Sequence, residues 1–160
     1  MKYLFLLNLF FISRLVLGQV NITDSGEDNY AYVPVTGNTT ITTCGVFIYD
    51  SGGENGYYEK NNDGSITINP GTPGKFVKLE FINFDVEYKY DFVYVYDGII
   101  SEATLLGAFT GTALPSPIVA STSSGVLIVK FVSDYAVTKD QSENLGGKLK
   151  NLYFVQSYAK

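Results

Sequence analysis

A chain of 160 residues has room for one domain with a real hydrophobic core and little more. It contains no histidine, which excludes imidazole-based serine triads, Cys-His dyads, HExxH zinc sites and most imidazole acid–base chemistry. Its 16 acidic against 11 basic residues give a formal charge of −5, which repels phosphate backbones and argues against a nucleic-acid partner.

Met1-Lys2 supply a positive start, Tyr3 to Ile12 are apolar except for Asn8, and Ser13-Arg14-Leu15-Val16-Leu17-Gly18 closes the segment on the small residue Gly18. This pattern predicts a secretory signal peptide over residues 1–18, with the mature chain starting near Gln19; Arg14 inside it is atypical. The run is too short to span a bilayer, and no later stretch is apolar enough to do so. The expectation is therefore an exported protein, extracellular or at a cell surface, without a transmembrane segment. Residues 19–37 read as a polar N-terminal segment. Asn21-Ile22-Thr23 and Asn38-Thr39-Thr40 fit the N-glycosylation acceptor pattern, which would place Asn21 and Asn38 at the surface in a glycosylating host. Chance tripeptides in a Thr-rich stretch are the alternative.

Asn38 to Thr43 looks like a first strand, ending at Cys44-Gly45. Cys44 is the only cysteine, so no intramolecular disulfide forms; it is expected as a buried free thiol, with an intermolecular bond as the alternative. Phe47-Ile48-Tyr49 lead into a loop with three glycines, Asp50 to Gly56, and Asn62-Asp63-Gly64 read as a tight reversal. Ser65 to Asn69 is a brief strand with Ile66 and Ile68 on one face. The pair Gly74-Lys75 resembles the end of a phosphate loop, but Phe76 follows where Ser or Thr belongs, and a strand follows where a helix belongs.

Phe76 to Phe84 and Asp91 to Tyr96 are short, β-branched or aromatic, and bounded by turn residues, the second closed by a turn at Asp97-Gly98, which is how strands read. Between them, Asp85-Val86-Glu87-Tyr88-Lys89-Tyr90-Asp91 places three carboxylates in a loop at one end of a sheet. Such a loop is the raw material of a hard-cation site. Strand patterns recur at Ala103 to Thr110, Ile118 to Ser121 and Gly125 to Val132, and no amphipathic helix interrupts them. Regular turn spacing of this kind predicts an all-β antiparallel β-sandwich or barrel over residues 38–139. In the tail, residues 140–160, Leu149 to Tyr158 alternate as a last strand would, though a frayed or foreign end fits as well.

Two features carry chemistry. Glu87 and Asp91 lie four residues apart across a loop that leads into a strand, and Asp134 ends another strand, so a sandwich can bring all three to one rim. Three adjacent carboxylates repel, and an oxygen-loving dication relieves that; the alternative is three acids decorating solvated loop ends. Along Asp91 to Asp97, Val93 and Val95 share one face while Phe92, Tyr94 and Tyr96 share the other. With the valines inward, the aromatics line the outside as a contact surface or as partners for neighbouring strands.

The acidic corner resembles the CUB domain, an extracellular antiparallel β-sandwich that acts as a protein- or glycan-binding module. The matching residues are Phe84-Asp85-Val86-Glu87, Tyr90-Asp91-Phe92-Val93-Tyr94-Val95-Tyr96-Asp97-Gly98, Leu106-Gly107-Ala108-Phe109-Thr110-Gly111, Ser121, and Leu127 to Asp134. Asp50 to Gly53, with Gly56-Tyr57 and Asn61-Asn62, looks like the opening segment of cysteine-poor or microbial-type members. The resemblance implies a calcium ion held by Glu87, Asp91 and Asp134, with carbonyls of Tyr135 or Ala136 as further ligands and Asp85 a weaker candidate. The family's usual disulfide falls here at Tyr88 and Thr110, so both of its halves are absent, and its closing strand just after Thr138-Lys139 is not recognisable. The function implied is a secreted, non-enzymatic module that recognises an extracellular protein or glycan. A structural spacer in a cell envelope or matrix is the alternative. A glycoside hydrolase pairing Glu87 with Asp91 or Asp134 is a remote third, since no tryptophan accompanies the pair.

Overall fold

The computed structural model describes residues 30–54, 56–101 and 103–136, together with the backbone of Leu152–Tyr158. Ten strands occur among these residues: β1 (Tyr30–Tyr32), β2 (Thr36–Thr43), β3 (Gly45–Tyr49), β4 (Asp63–Pro70), β5 (Phe76–Asn83), β6 (Phe92–Asp97), β7 (Thr104–Phe109), β8 (Ile118–Val119), β9 (Leu127–Val132) and β10 (Leu152–Tyr158). They form two five-stranded sheets, ordered β1-β3-β10-β5-β8 and β2-β4-β9-β6-β7. Most neighbours are antiparallel; β1 with β3 and β2 with β4 run parallel.

Period-two alternation decides which side chains meet between the sheets. On β5 it turns Val77, Leu79 and Phe81 inward, and on β6 it turns in Val93 and Val95. Ile66 and Ile68 of β4 and Leu127, Val129 and Phe131 of β9 face them from the same or the opposite layer. Each fully buried aliphatic chain contributes about 1.5–3 kcal/mol of transfer free energy. That continuous core is what keeps the sandwich closed without a disulfide.

The sequence expectations for β2, β4, β5, β6, β7 and β9 match these strands to within a few residues. The reversal before β4 falls earlier than Asn62-Asp63-Gly64: Asn61 carries the left-handed backbone, at φ +56°, and Asp63 already opens the strand. Gly64 is required there for a different reason. A Cβ on it would lie 1.7 Å from the Pro34 carbonyl oxygen, where the incoming chain crosses β4. Two further strands are β1 and β10, the second being the last strand whose alternation the sequence showed over Leu149 to Tyr158. Tyr30–Tyr32 is only three residues long, too few for alternation to register. Leu152–Tyr158 pairs with both β3 and β5 and so sits centrally in its sheet.

Cys44 corrects the sequence expectation, being exposed and not buried. It occupies the corner between β2 and β3, where the chain passes from one sheet to the other and the sheet interior is no longer available. Its Sγ lies 3.7 Å from the Thr72 hydroxyl.

Candidate metal centre

The corner between β5 and β6 is built around the Glu87 carbonyl. That oxygen accepts the Asp91 amide at 3.1 Å, the Tyr90 amide at 3.4 Å and the Thr110 hydroxyl at 3.0 Å. Thr110 Oγ1 also accepts the Lys89 amide at 2.9 Å, while the Val86 amide donates to Gly111 at 3.0 Å. Lys89 takes a left-handed backbone, φ +71°, to close this turn. Where the resemblance places a disulfide between positions 88 and 110, the chain thus has a hydroxyl bridging the residues on either side of Tyr88. The loop is clasped to the end of β7 by hydrogen bonds.

Asp134 arrives from the end of β9. Its carbonyl accepts the Asn61 amide at 2.9 Å. The preceding Ser133 exchanges bonds with Asn62, whose amide donates to Ser133 Oγ at 3.0 Å and whose carbonyl accepts the Ser133 amide at 3.1 Å. The Asp134 carboxylate accepts the Ala136 amide at 2.8 Å, and the Asp134 amide donates to Asp91 Oδ1 at 3.0 Å. Through these contacts Glu87, Asp91 and Asp134 each bring one carboxylate oxygen within 4.8 Å of the others. Asp85 does not join them.

Asp91 is completely buried, and Oε2 of Glu87 is shut off from solvent. Burial pushes the Asp91 carboxyl above the usual carboxylate range. Hydrogen bonds from the Tyr58 hydroxyl and the Asp134 amide pull the other way, and the nearby Asp134 charge adds to the rise. Tyr58 is itself 4% exposed and donates to Asp91 Oδ2 at 2.5 Å, while its oxygen accepts the Glu87 amide at 3.2 Å. Burial first, then the Asp91 carboxylate, pushes the phenol far above its ordinary value, so it stays a proton donor. Its ring is held edge-on against Phe131 with centroids 4.9 Å apart.

Carboxylate oxygens clustered around a buried acid fit a hard cation such as Ca2+, which takes oxygen ligands and offsets the cost of crowding negative charge in a dry site. Three exposed tyrosines adjoin the cluster in sequence: Tyr88 and Tyr90, each 63% exposed, and Tyr135 at 78%. Lys89 lies over the Tyr88 ring, with Nζ 5.2 Å from its centroid.

Sequence reasoning named the three acids and missed their support. Tyr58 follows the glycine loop by two residues, and nothing local marks it as reaching Asp91, 33 residues away. Asp97 read as a turn residue ahead of Gly98, which has φ +103°. It is 1% exposed and accepts the Ser121 amide at 2.8 Å, the Ser121 hydroxyl at 2.5 Å, the Thr122 hydroxyl at 3.0 Å and the Thr122 amide at 3.2 Å.

On the outer face of β6, Phe92, Tyr94 and Tyr96 are half-buried, while Val93 and Val95 opposite them are fully buried. Phe92 stacks on Tyr94 with centroids 5.8 Å apart, and Tyr94 meets Tyr96 at 6.5 Å. Part of the stripe's area is thus spent within the stripe. Asn38 is exposed on β2; Asn21 and the signal peptide expected over residues 1–18 lie outside the described residues.

A family model described as the CUB domain matches residues 21–142. Tolloid-like protein 2 from mouse is 39% identical over 88 residues, covering 49% of this chain and 8% of that protein. Neuropilin-2 from rat is 36% identical over 93 residues, covering 52% of this chain and 10% of that protein. The chain therefore spans about a tenth or less of these relatives. Among solved structures, the MASP-1 CUB2 domain bound to Ca2+ is similar at a TM-score of 0.53 and 24% identity, covering 73% of this chain and 96% of that one. The extracellular region of zebrafish Gpr126 is similar at a TM-score of 0.59 and 20% identity, covering 77% of this chain and 15% of that one. Likeness at such identities carries the two-sheet fold alone.

Proposed function

The chain belongs to the CUB domain family, and from that premise we propose that it is an extracellular, non-enzymatic recognition module with a calcium-ordered docking corner. One observation carries the proposal: Glu87, Asp91 and Asp134, from two loops far apart in sequence, converge within 4.8 Å around a completely buried carboxylate. Bringing carboxylates together around a buried one costs repulsion and desolvation, which a bound cation would offset.

In this reading Glu87, Asp91 and Asp134 hold the ion, and the Tyr58 hydroxyl and the Asp134 amide orient Asp91 for it. The ion supplies positive charge that locks the β5–β6 corner to the end of β9. Tyr88, Tyr90 and Tyr135 then form an amphipathic rim around a ringed negative charge, suited to a partner protein or glycan that presents a basic or hydroxylated group. The outer stripe of Phe92, Tyr94 and Tyr96 offers a second contact face. Export through the segment over residues 1–18 would place the module where calcium is abundant, and no helix among the described residues is long and apolar enough to cross a membrane.

The test is a calcium titration read by melting temperature. Binding to the folded state alone stabilises by about 2.7 kcal/mol at a hundredfold excess over the dissociation constant. Asp134→Ala should abolish the rise. Capture of extracellular material with calcium, lost in chelator, separates a binder from a spacer. A melting temperature indifferent to millimolar calcium would remove the site.

A further inference from the structure

The outer face of the sheet ordered β2-β4-β9-β6-β7 holds a shallow groove of about 380 Å3, lined by Asn38, Ser65, Tyr96, Ile100, Ile128 and Lys130. The residue at one side of it, Asn38, opens the acceptor triplet Asn38-Thr39-Thr40. The triplet lies on β2, the edge strand of its sheet, and alternation sends Asn38 and Thr40 to the outer face while Ile41 goes to the core.

The Asn38 amide is already held in one plane. Its Oδ1 accepts the Ser65 hydroxyl at 2.9 Å and the Thr67 hydroxyl at 3.1 Å, both from β4. Its Nδ2 donates one hydrogen to Thr40 Oγ1 at 3.3 Å. A primary amide has two such hydrogens, so one can be replaced without breaking any of these bonds. Across the groove the surface changes character. Ile100 is 68% exposed and Ile128 is sunk beside Tyr96. Lys130, two residues beyond Ile128 on β9 and level with Ser65, has its ammonium tied to Asp63 at 2.6 Å, which leaves its methylene stem along the groove. An exposed isoleucine beside a half-buried tyrosine, bordered by hydroxyls and an amide, suits the apolar ring face and polar rim of a sugar.

We infer that Asn38 is an N-glycosylation site whose core sugars lie in this groove, against Ile128, Ile100 and Tyr96. In the modification, Nδ2 forms a bond to C1 of an oligosaccharide as the C1–O bond to its lipid diphosphate carrier breaks. The diphosphate leaves with the bonding electrons, and the amide gives up one proton. From β2 to β6 is three strand spacings, about 14 Å, so the first two sugars of the chain reach the aromatic side. The glycan then screens the Tyr96 end of the outer stripe and leaves the acidic corner as the open docking surface. In that respect the inference deepens the function proposed above.

The full chain is secreted from a glycosylating eukaryotic cell on an Asn21→Gln background, with 13C-labelled sugars. Peptide mapping should find a glycan on Asn38 that is lost in Asn38→Gln and in Thr40→Val. In the folded parent, an acetamido methyl proton signal of the core sugars should lie upfield of its position in the released glycan, from the Tyr96 ring current. Tyr96→Val should return it to that position with occupancy unchanged, and Ile100→Ser should weaken the displacement if Tyr96→Val does not fold. An unmodified Asn38 overturns the site. A modified Asn38 with both methyl signals at the released-glycan position overturns the packing. The calcium response of the same samples reads the corner independently, so the two proposals fail separately.

Discussion

Asp91 and Asp97 close the two ends of the same strand, β6, and are almost equally buried, at 0% and 1% exposure. Their surroundings are opposite. Asp97 meets only donors: the amides and hydroxyls of Ser121 and Thr122 converge on both of its oxygens. Asp91 meets two donors, the Tyr58 hydroxyl and the Asp134 amide, and also two carboxylates, those of Glu87 and Asp134. Burial pushes both carboxyls up; at Asp97 the Ser121 and Thr122 hydrogens outweigh it and the carboxyl ends below its ordinary range, whereas at Asp91 the rise persists. One end of the strand is electrostatically complete. The other keeps like charges together, and in the function proposed above a cation would complete it. Burial alone does not distinguish two such acids; what faces each carboxylate does.

The largest effect expected from this contrast is at the complete end. Asp97→Ala strands two amides and two hydroxyls at the β6 turn, and should cost about 3–5 kcal/mol in urea unfolding, with or without calcium. The next effect belongs to the other end. Saturating calcium should stabilise the parent by about 2.7 kcal/mol at a hundredfold excess over the dissociation constant, roughly 10 °C in melting temperature. Asp91→Asn should lose that response, yet in chelator be no less stable than the parent, because it removes a buried charge among like charges. If Asp91→Asn instead lost stability equally in chelator and in calcium, the two ends would be alike and the comparison would fall.

Two smaller substitutions sharpen the same contrast. Tyr58→Phe keeps the ring against Phe131 and removes only the hydroxyl that Asp91 and the Glu87 amide share. About 2 kcal/mol should be lost, the range for a hydrogen bond to a charged group. Thr110→Val removes the bridge between the Glu87 carbonyl and the Lys89 amide. A cost of about 1 kcal/mol is expected, with a larger proportional loss of calcium affinity, since the loop that presents Glu87 and Asp91 is no longer clasped. An unchanged affinity would show that the clasp holds β7 and not the site.

What was legible in the sequence follows from the range over which each signal acts. Strand composition and period-two alternation are local, so β4, β5, β6 and β9 were readable as strands, with Ile66 and Ile68 sharing one face and Val93 and Val95 another, and the fold with them. The three acids were readable because Asp91 and Asp134 flank strands and Glu87 lies in the loop leading into one, and the family resemblance said which of these loops meet. Tyr58 was not readable, since its partner is 33 residues away and a tyrosine after a glycine loop has many uses. Asp97 was hidden by a correct but incomplete reading: Asp-Gly does make the turn, and the two hydroxyl residues that bury its carboxylate come 24 and 25 positions later. Cys44 was misread because a free thiol is usually apolar filling, whereas here it stands on the corner where β2 gives way to β3.

The most delicate expectation concerns acid. Asp97 titrates in the folded protein below its unfolded value, so the ionised carboxylate favours folding. Its contribution is whole above the unfolded pKa of about 3.9 and is lost as the pH falls through the lower folded value. Asp97→Asn keeps one acceptor oxygen and cannot ionise, so it should be less stable than the parent at neutral pH. That gap should narrow only below about pH 4, as the parent carboxylate takes up its proton. Measured in chelator, so that the acidic corner carries no ion in either protein, the narrowing isolates the Ser121–Thr122 cradle. A gap of the same size at pH 2 and pH 6 would mean that the Asp97 charge contributes nothing, and that shape alone holds this end of β6.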